Sequence, residues 1–592
     1  MLKKIKFNKI RCIIFLIVLI IIIISFFSIK NIIKTNKENS THTIVNVPID
    51  SRPISRSNFE YLVNASGFNY KEIDVGLDKN NKYYESGNYN KVIRKTKKMV
   101  SKTNNEDTTV IINTSSYLFG GLMNSRGINA YNNINQKISS LTSLLTEYSD
   151  VKYYVTFIIP RNIPEARVIN VYNLYQNKPV SGLQCFYEME NGVSQKDCIK
   201  TTFSMATMEW AYLKSLQKHN TKAWNKIPDY VKKFYDNFEK LYTGNVALYK
   251  ENGISAPELY ENVFINADMY LNNLLSLKNN GYIDELIIGT DDFEIPDYLT
   301  NGSDTSWVPK DSLGNIIKYG FAYDLYKKTS EIENNDLYFF GADEINYLIL
   351  AREVVRIKEK KVNFDYDVLE TMYEIQKYDR NNSIDTIKNY INFINEYGEA
   401  KYKKTTLIKF IDSTNCYNKS FMESIKNEIN DNSKNLFLLQ VDSEPFCKNV
   451  ALSLNNNNKS IFEIPTISGW NTFGNALGIG LSRAVVYADL DEDLDDNTIS
   501  SELKTRLINY IKTQLIAVLE DSIYNSNKSV SNLNIEGNLV LNNNINSNFT
   551  FNIGKYNYSI NGVSFKAFNP WNRYFEVHLT PNVDSIDISV ED

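Results

Sequence analysis

Acids and arginines recur in this chain just after short apolar runs. TIVNVP (43–48) leads into Asp50 and Arg52, TVIIN (109–113) into Ser115 and the turn FGGLMNSR ending at Arg126, and KYYVTFII (152–159) into Arg161 and Asn162. ELIIG (285–289) leads into Asp291 and Asp292, and LYFFG (337–341) into Asp343 and Glu344. TLIKFI (406–411) ends at Asp412, LFLLQV (436–441) at Asp442 and Glu444, and IFEIP (461–465) runs toward Trp470, Asn471 and Asn475. The chemistry on offer is carboxylate chemistry. One route is general acid and base work on a glycosidic bond by Asp291, Asp292, Asp343 and Glu344; another is an oxygen-rich site for Mg²⁺ or Ca²⁺. Asp50, Arg52, Arg126, Arg161, Asn471, Asn475 and Arg573 are the candidates for positioning substrate, and arginines among acids suit an anionic ligand.

Histidine scarcity narrows the field. The three histidines are His42, His219 and His578, too scattered for a Ser-His-Asp triad or a multi-histidine zinc site. No GxxxxGK(S/T) loop or strand-linked GxGxxG occurs. No organic cofactor is therefore expected, and the favoured acid-base route requires no resident metal. With 40 Tyr, 30 Phe and 5 Trp the chain is rich in flat rings, most of them core. Trp470 and Trp571 stand inside the polar motifs GWNTFGNALG and NPWNRYFEV, where a ring can wall a sugar pocket.

Each acid also has a structural explanation. Asp291 with Glu294 three residues on is a capping box, and Asp343 would cap the helix INYLILAR (345–352). Arg126 and Arg352 can pair with such carboxylates. Caps do not explain adjacent acids after two separate runs together with Asp50 and Arg52 after the first.

The elements that must position these residues alternate. Most of the eight apolar runs precede a helical pattern, which is the signature of βα units around a largely parallel sheet. Eight runs predict an α/β fold, with a TIM-barrel-like (β/α) core or else an open doubly wound sheet; both gather ligand residues at the carboxyl ends of strands. MATMEWAYLKSLQKH (205–219) and VKKFYDNFEKLY (231–242) read as packing and lid helices. Asn561-Gly562 between YSI and VSF predicts a hairpin turn in a small β-rich C-terminal segment.

Location follows from the N-terminus. Residues 1–11 hold Lys3, Lys4, Lys6, Lys9 and Arg11, and 12–29 is an apolar run broken only by Ser25 and Ser28. At about 1.5 Å per residue that run reaches roughly 27 Å, close to the hydrocarbon thickness. It reads as a signal anchor with a cytoplasmic basic tail, a tether over 30–42, and an extracytoplasmic α/β domain (43–528) and β-rich segment (529–592). No small-x-small cleavage signature follows it. Cys185 and Cys198 can close a loop in an oxidising compartment or remain two thiols, with free thiols the preferred alternative. The net charge of −4 with no long basic run in the body argues against nucleic acid as a partner, leaving the membrane and a glycan or other small polar ligand.

Six motifs in register, VPIDSRP (47–53), LFGGLMNSR (118–126), IGTDD (288–292), GADE (341–344), GWNTFGNALG (469–478) and NPWNRYFEV (569–577), resemble those of the bacterial domain-of-unknown-function 4127 family. The chain departs from that pattern at Ser55 and Thr290, where the family usually carries Asn and Gln. The resemblance spans nearly the whole ectodomain and implies a shared fold and site without an established activity. Asp291-Asp292 and GADE are also similar to the acid pairs of hexosaminidases that use the substrate's acetamido group as nucleophile, where one acid orients that group and its neighbour protonates the leaving oxygen. The working expectation is a membrane-anchored glycan hydrolase, set against a non-catalytic surface binding module or a metal-dependent phosphoester hydrolase.

Overall fold

A computed structural model of the chain describes residues 42–75, 87–103, 106–126, 133–162, 181–192, 203–244, 256–290, 295–312, 314–332, 337–367, 372, 381–411, 418–441, 461–469, 471–496, 500–524, 528–545, 550–553, 556–569 and 577–590. Apart from His42, which is buried against Thr109 and so belongs to the α/β domain, the predicted anchor, tail and tether lie outside them, as do Asp291, Asp292, Asp412, Asp442, Glu444, Trp470, Trp571 and Arg573. Among the described residues no helix is long and apolar enough to cross a membrane.

Six parallel strands form the first sheet: β1 (Thr43–Val47), β2 (Asn69–Glu72), β3 (Thr108–Asn113), β4 (Lys152–Ile159), β5 (Glu285–Thr290) and β6 (Tyr338–Phe340). Their order is β2-β1-β3-β4-β5-β6. A second parallel sheet has the order β10-β9-β8-β7, built from β7 (Lys360–Tyr366), β8 (Ala400–Ile411), β9 (Lys434–Gln440) and β10 (Thr466–Ser468). The fold class is α/β as expected, but the strands make two open sheets among the described residues and not an eight-stranded barrel. The reason lies in β1, which takes β2 on one side and β3 on the other. That reversal of strand order sends connections to both faces of the sheet, the arrangement of a doubly wound fold.

Alternate residues of the central strands enter different cores. Ile44, Ile111, Tyr154 and Ile287 join one apolar cluster, whereas Val45, Val110, Ile112, Tyr153, Val155, Leu286 and Ile288 join the other. A strand covered on both faces needs apolar side chains at every position, which is why these runs show no alternation. The helices used below are α1 (Ser57–Ala65), α2 (Ile345–Lys358), α3 (Ser383–Asn395), α4 (Phe473–Asp496) and α5 (Ser501–Ile516). Helix α2 connects the sheets, and its residues from Ile345 to Val355 are all buried.

Three local expectations change. IFEIP is not a strand: Ile461–Glu463 forms a 3-10 turn and the strand is the adjacent Thr466–Ser468. Gly562 does take a left-handed backbone (φ 66°), but β12 (Tyr556–Asn561), which follows β11 (Thr550–Ile553), does not pair with β13 (Ser564–Phe568). Instead β12 pairs with β15 (Ser585–Val590) and β13 with β14 (His578–Asn582), in one unbroken antiparallel register. Asn561-Gly562 is thus a bend halfway along a long hairpin whose pairing ends at Phe568 and His578. Cys185 is disulfide-bonded, against the preferred reading of free thiols; Cys198 lies outside the described residues.

Candidate active site

The segment after β1 folds back on itself. Pro53 opens a 3-10 turn over Pro53–Ser55, and the Asp50 carboxylate accepts from the Arg52 amide (2.9 Å) and the Ser55 hydroxyl (3.2 Å). Those bonds aim the Arg52 side chain outward from the strand end. Its Nε donates to Asp50 Oδ2 (2.6 Å), and its two terminal nitrogens donate to Asp343 Oδ1 (2.6 Å) and Oδ2 (3.2 Å). A guanidinium offers donors on two edges in fixed geometry, so one Arg can bind two carboxylates at once. Here one lies 2 residues away along the chain and the other 291, and the fold brings the second one in. All three side chains are buried, with Asp50 5% exposed and Arg52 and Asp343 8% each.

Asp343 does not hold the cap position: the N-cap of α2 is Glu344, whose side chain makes no capping hydrogen bond. Glu344 instead reaches back: Oε1 accepts from the Gly341 amide (2.5 Å) and the Tyr390 hydroxyl of α3 (2.6 Å). Among the described residues Oε2 has no hydrogen-bond partner, and the residue is fully buried. Burial pushes the Glu344 carboxyl up to about 7; the Tyr390 and backbone hydrogen bonds act the other way, and the neighbouring Asp343 charge adds to the rise. A Cβ on Gly341 would stand 2.6 Å from both Glu344 oxygens and 2.8 Å from Asn475 Oδ1, so the acid and the α4 amide close over that glycine.

The remaining expected residues divide. Asn475 joins the Glu344 environment. Arg126 is buried after β3, and half-buried Arg161 follows β4 close enough to Tyr260 to act on its hydroxyl electrostatically. Asn162 is a structural residue: its side chain accepts from the Ala322 amide (3.0 Å) and its carbonyl accepts from Tyr260. Asn471 is exposed, with φ 60°, and takes no part in the Arg52 hydrogen bonds. Arg352 is a packing residue, pairing with Glu285 (3.0 Å) and Glu396 (2.7 Å). Among the described residues no group of three His, Cys, Asp or Glu is arranged to hold a metal ion.

Several supporting residues escaped sequence reasoning. Asn46 of β1, Asn113 of β3 and Asn346 of α2 form a buried amide chain beneath the site, with Asn346 donating to Asn46 (3.2 Å) and Asn113 to Asn346 (3.2 Å). Residues Ala517–Tyr524 continue α5 as a π-helical turn. Its Glu520 accepts from Asn58 of α1 (3.0 Å), while Asp521 pairs with Arg483 of α4 (2.7 Å) and accepts from the Gly469 amide. The turn thereby ties helix α1 to the segment just after β10. A polar residue inside an apolar helical pattern was the available signal for Asn346, Asp521 and Arg483.

Comparison with known proteins adds one finding. The sequence matches the model of the family described as "Protein of unknown function (DUF4127)" over residues 44–204 and 322–580, more than half of the chain. The stretch the model leaves out contains most of the helical crossover between β4 and β5. No curated protein and no solved structure matches the chain.

Proposed function

The chain belongs to the DUF4127 family, and we propose that this member is a membrane-anchored extracytoplasmic enzyme that hydrolyses cell-envelope or extracellular glycans by carboxylate chemistry. The observation that carries the reading is the adjacent pair Asp343 and Glu344. One is ion-paired with Arg52, and the other is a buried acid raised to about 7. Glycosidic hydrolysis needs two carboxyl groups in different protonation states, and environments that push neighbours apart supply them. In this reading Glu344 donates the proton to the leaving oxygen while Asp343, Arg52 and Asp50 orient the sugar. Asp291 and Asp292 are further acids, and Arg126, Arg161, Trp470, Asn471, Asn475, Trp571 and Arg573 hold the substrate. The reversal of strand order at β1 supports this placement, because ligands of open α/β sheets bind at the strand carboxyl ends beside such a point. The apolar run 12–29 supports the anchor, and the disulfide at Cys185 suits an oxidising compartment.

The test is release of reducing sugar from purified envelope glycan by the full chain. Asp292→Asn and Glu344→Gln are each expected to abolish release while the protein still unfolds cooperatively; unchanged turnover in both removes the proposal. Chelation is expected to leave release intact, and loss restored by Mg²⁺ or Mn²⁺ would favour a phosphoester hydrolase instead. A second reading, glycan binding without turnover, draws on the complete burial of Glu344. It requires saturable binding that survives both substitutions with no product formed.

A further inference from the structure

We propose that the cleft between edge strand β6 and helix α3 is a second saccharide subsite, taking an uncharged stretch of the same glycan whose scissile bond lies at Asp343 and Glu344. It rests on the hydrolase reading for its role in catalysis, and on its own lining for its ligand. The cleft has a volume of about 440 Å³, within the range of small-molecule sites. Among the described residues its walls carry the amides of Asn381, Asn389 and Asn392, the rings of Tyr338 and Phe339, and the Glu396 carboxylate, with no Lys or Arg.

That lining selects a chemistry. A side-chain amide both donates and accepts, which matches neighbouring sugar hydroxyls that do the same, and aromatic rings offer flat apolar area beside them. The one charged group is already occupied: Glu396 accepts from the Tyr338 hydroxyl (2.7 Å) and pairs with buried Arg352 (2.7 Å). An anionic polymer would meet no cation among the described lining residues. The aromatic wall is also held in place, since the Arg352 guanidinium lies 4.8 Å from the Tyr338 ring and 4.3 Å from Phe393. An extended peptide could in principle add to β6, but that strand is three residues long and pairs on one side with β5, so it offers few backbone hydrogen bonds to a guest.

Position links the cleft to the acids. Phe340 lines it, and the next residue, Gly341, donates its amide to Glu344. On the facing wall Asn389 lines it, and the next residue, Tyr390, donates its hydroxyl to the same Glu344 oxygen. Both walls run directly into the hydrogen bonds that hold the acid, so a chain lying in the cleft would be led to it.

The experiment is titration calorimetry of the wild-type full chain and of its Glu344→Gln form with chitohexaose, cellohexaose, maltohexaose, hexagalacturonate and an extended hexapeptide. Asn389→Ala with Asn392→Ala removes two exposed side chains, so folding should persist. The expected result is binding of at least one neutral hexasaccharide, weakened tenfold or more by the double substitution. Binding of no neutral hexasaccharide, equal affinity in the double variant, or preference for hexagalacturonate or the peptide would each overturn the proposal. Neutral binding lost in the double variant, with no reducing sugar released by wild type, would keep the subsite and remove the hydrolase reading.

Discussion

Replacing Glu344 with Gln should change the pH dependence of stability in a defined direction. The carboxyl rises from its ordinary 4.5 to about 7 on folding because burial penalises its charged form. A group raised in this way contributes stability that is fully present below about pH 4.5 and is lost as pH rises through about 7. At about 1.4 kcal/mol per tenfold change in proton affinity, that loss amounts to about 3 kcal/mol. Gln keeps an oxygen for the Gly341 amide and the Tyr390 hydroxyl, and turns an amide toward the side on which Glu344 Oε2 has no partner. The difference in unfolding free energy between the two proteins, measured by urea titration at intervals from pH 4 to 8.5, isolates this one group because other titrations largely cancel. The variant should gain on the wild type by about 3 kcal/mol between about pH 4.5 and 7 and hold a constant offset outside that window. A difference that stays flat across the window would refute the assignment of a proton to Glu344 at neutral pH.

Three further outcomes follow from the same geometry. Arg52→Ala removes the guanidinium that Asp50 and Asp343, both buried, share, and should cost about 3–5 kcal/mol in urea unfolding at pH 7, with Arg52→Lys recovering only part because an ammonium lacks the planar fork. Gly341→Ala places a methyl 2.6 Å from both Glu344 oxygens and should lower stability by about 1–3 kcal/mol, read as a fall in Tm. Although burial raises Glu353, its contacts with His42, Arg356 and Lys152 carry it well below the ordinary carboxylate range. Its contribution is present above about pH 4.5 and lost as pH falls, so Glu353→Gln should be least stable relative to wild type at neutral pH and the gap should close in acid.

The doubly covered strands β1, β3, β4 and β5 were legible because burial on two faces writes itself as an unbroken apolar run. Edge strands β2 and β7 were not, whereas edge strand β6 was legible as LYFFG. β2 is NYKE and β7 is KKVNFDY, half-polar segments with partners on one side only. IFEIP misled because Ile461 and Phe462 are core residues in a 3-10 turn, and an apolar run records burial more faithfully than backbone conformation. The Asn-Gly dipeptide correctly marks a left-handed residue, but a bend inside a hairpin needs one as much as a turn does. At the site, residue types after the strands pointed to Asp50, Arg52, Asp343 and Glu344. Their pairing was beyond reach, since nothing local joins Arg52 to a carboxylate 291 residues away or tells that Tyr390 and Asn475 will enclose Glu344 while Asp343 faces the guanidinium.

The pH dependence of glycan turnover tests the account most directly. If Glu344 is the proton donor, the rate of reducing-sugar release by the full chain should fall as pH rises through about 7, following deprotonation of that carboxyl, and Glu344→Gln should leave no turnover to measure. A rate that continues undiminished well above pH 7, or a Glu344→Gln protein that turns over with the wild-type profile, would contradict it.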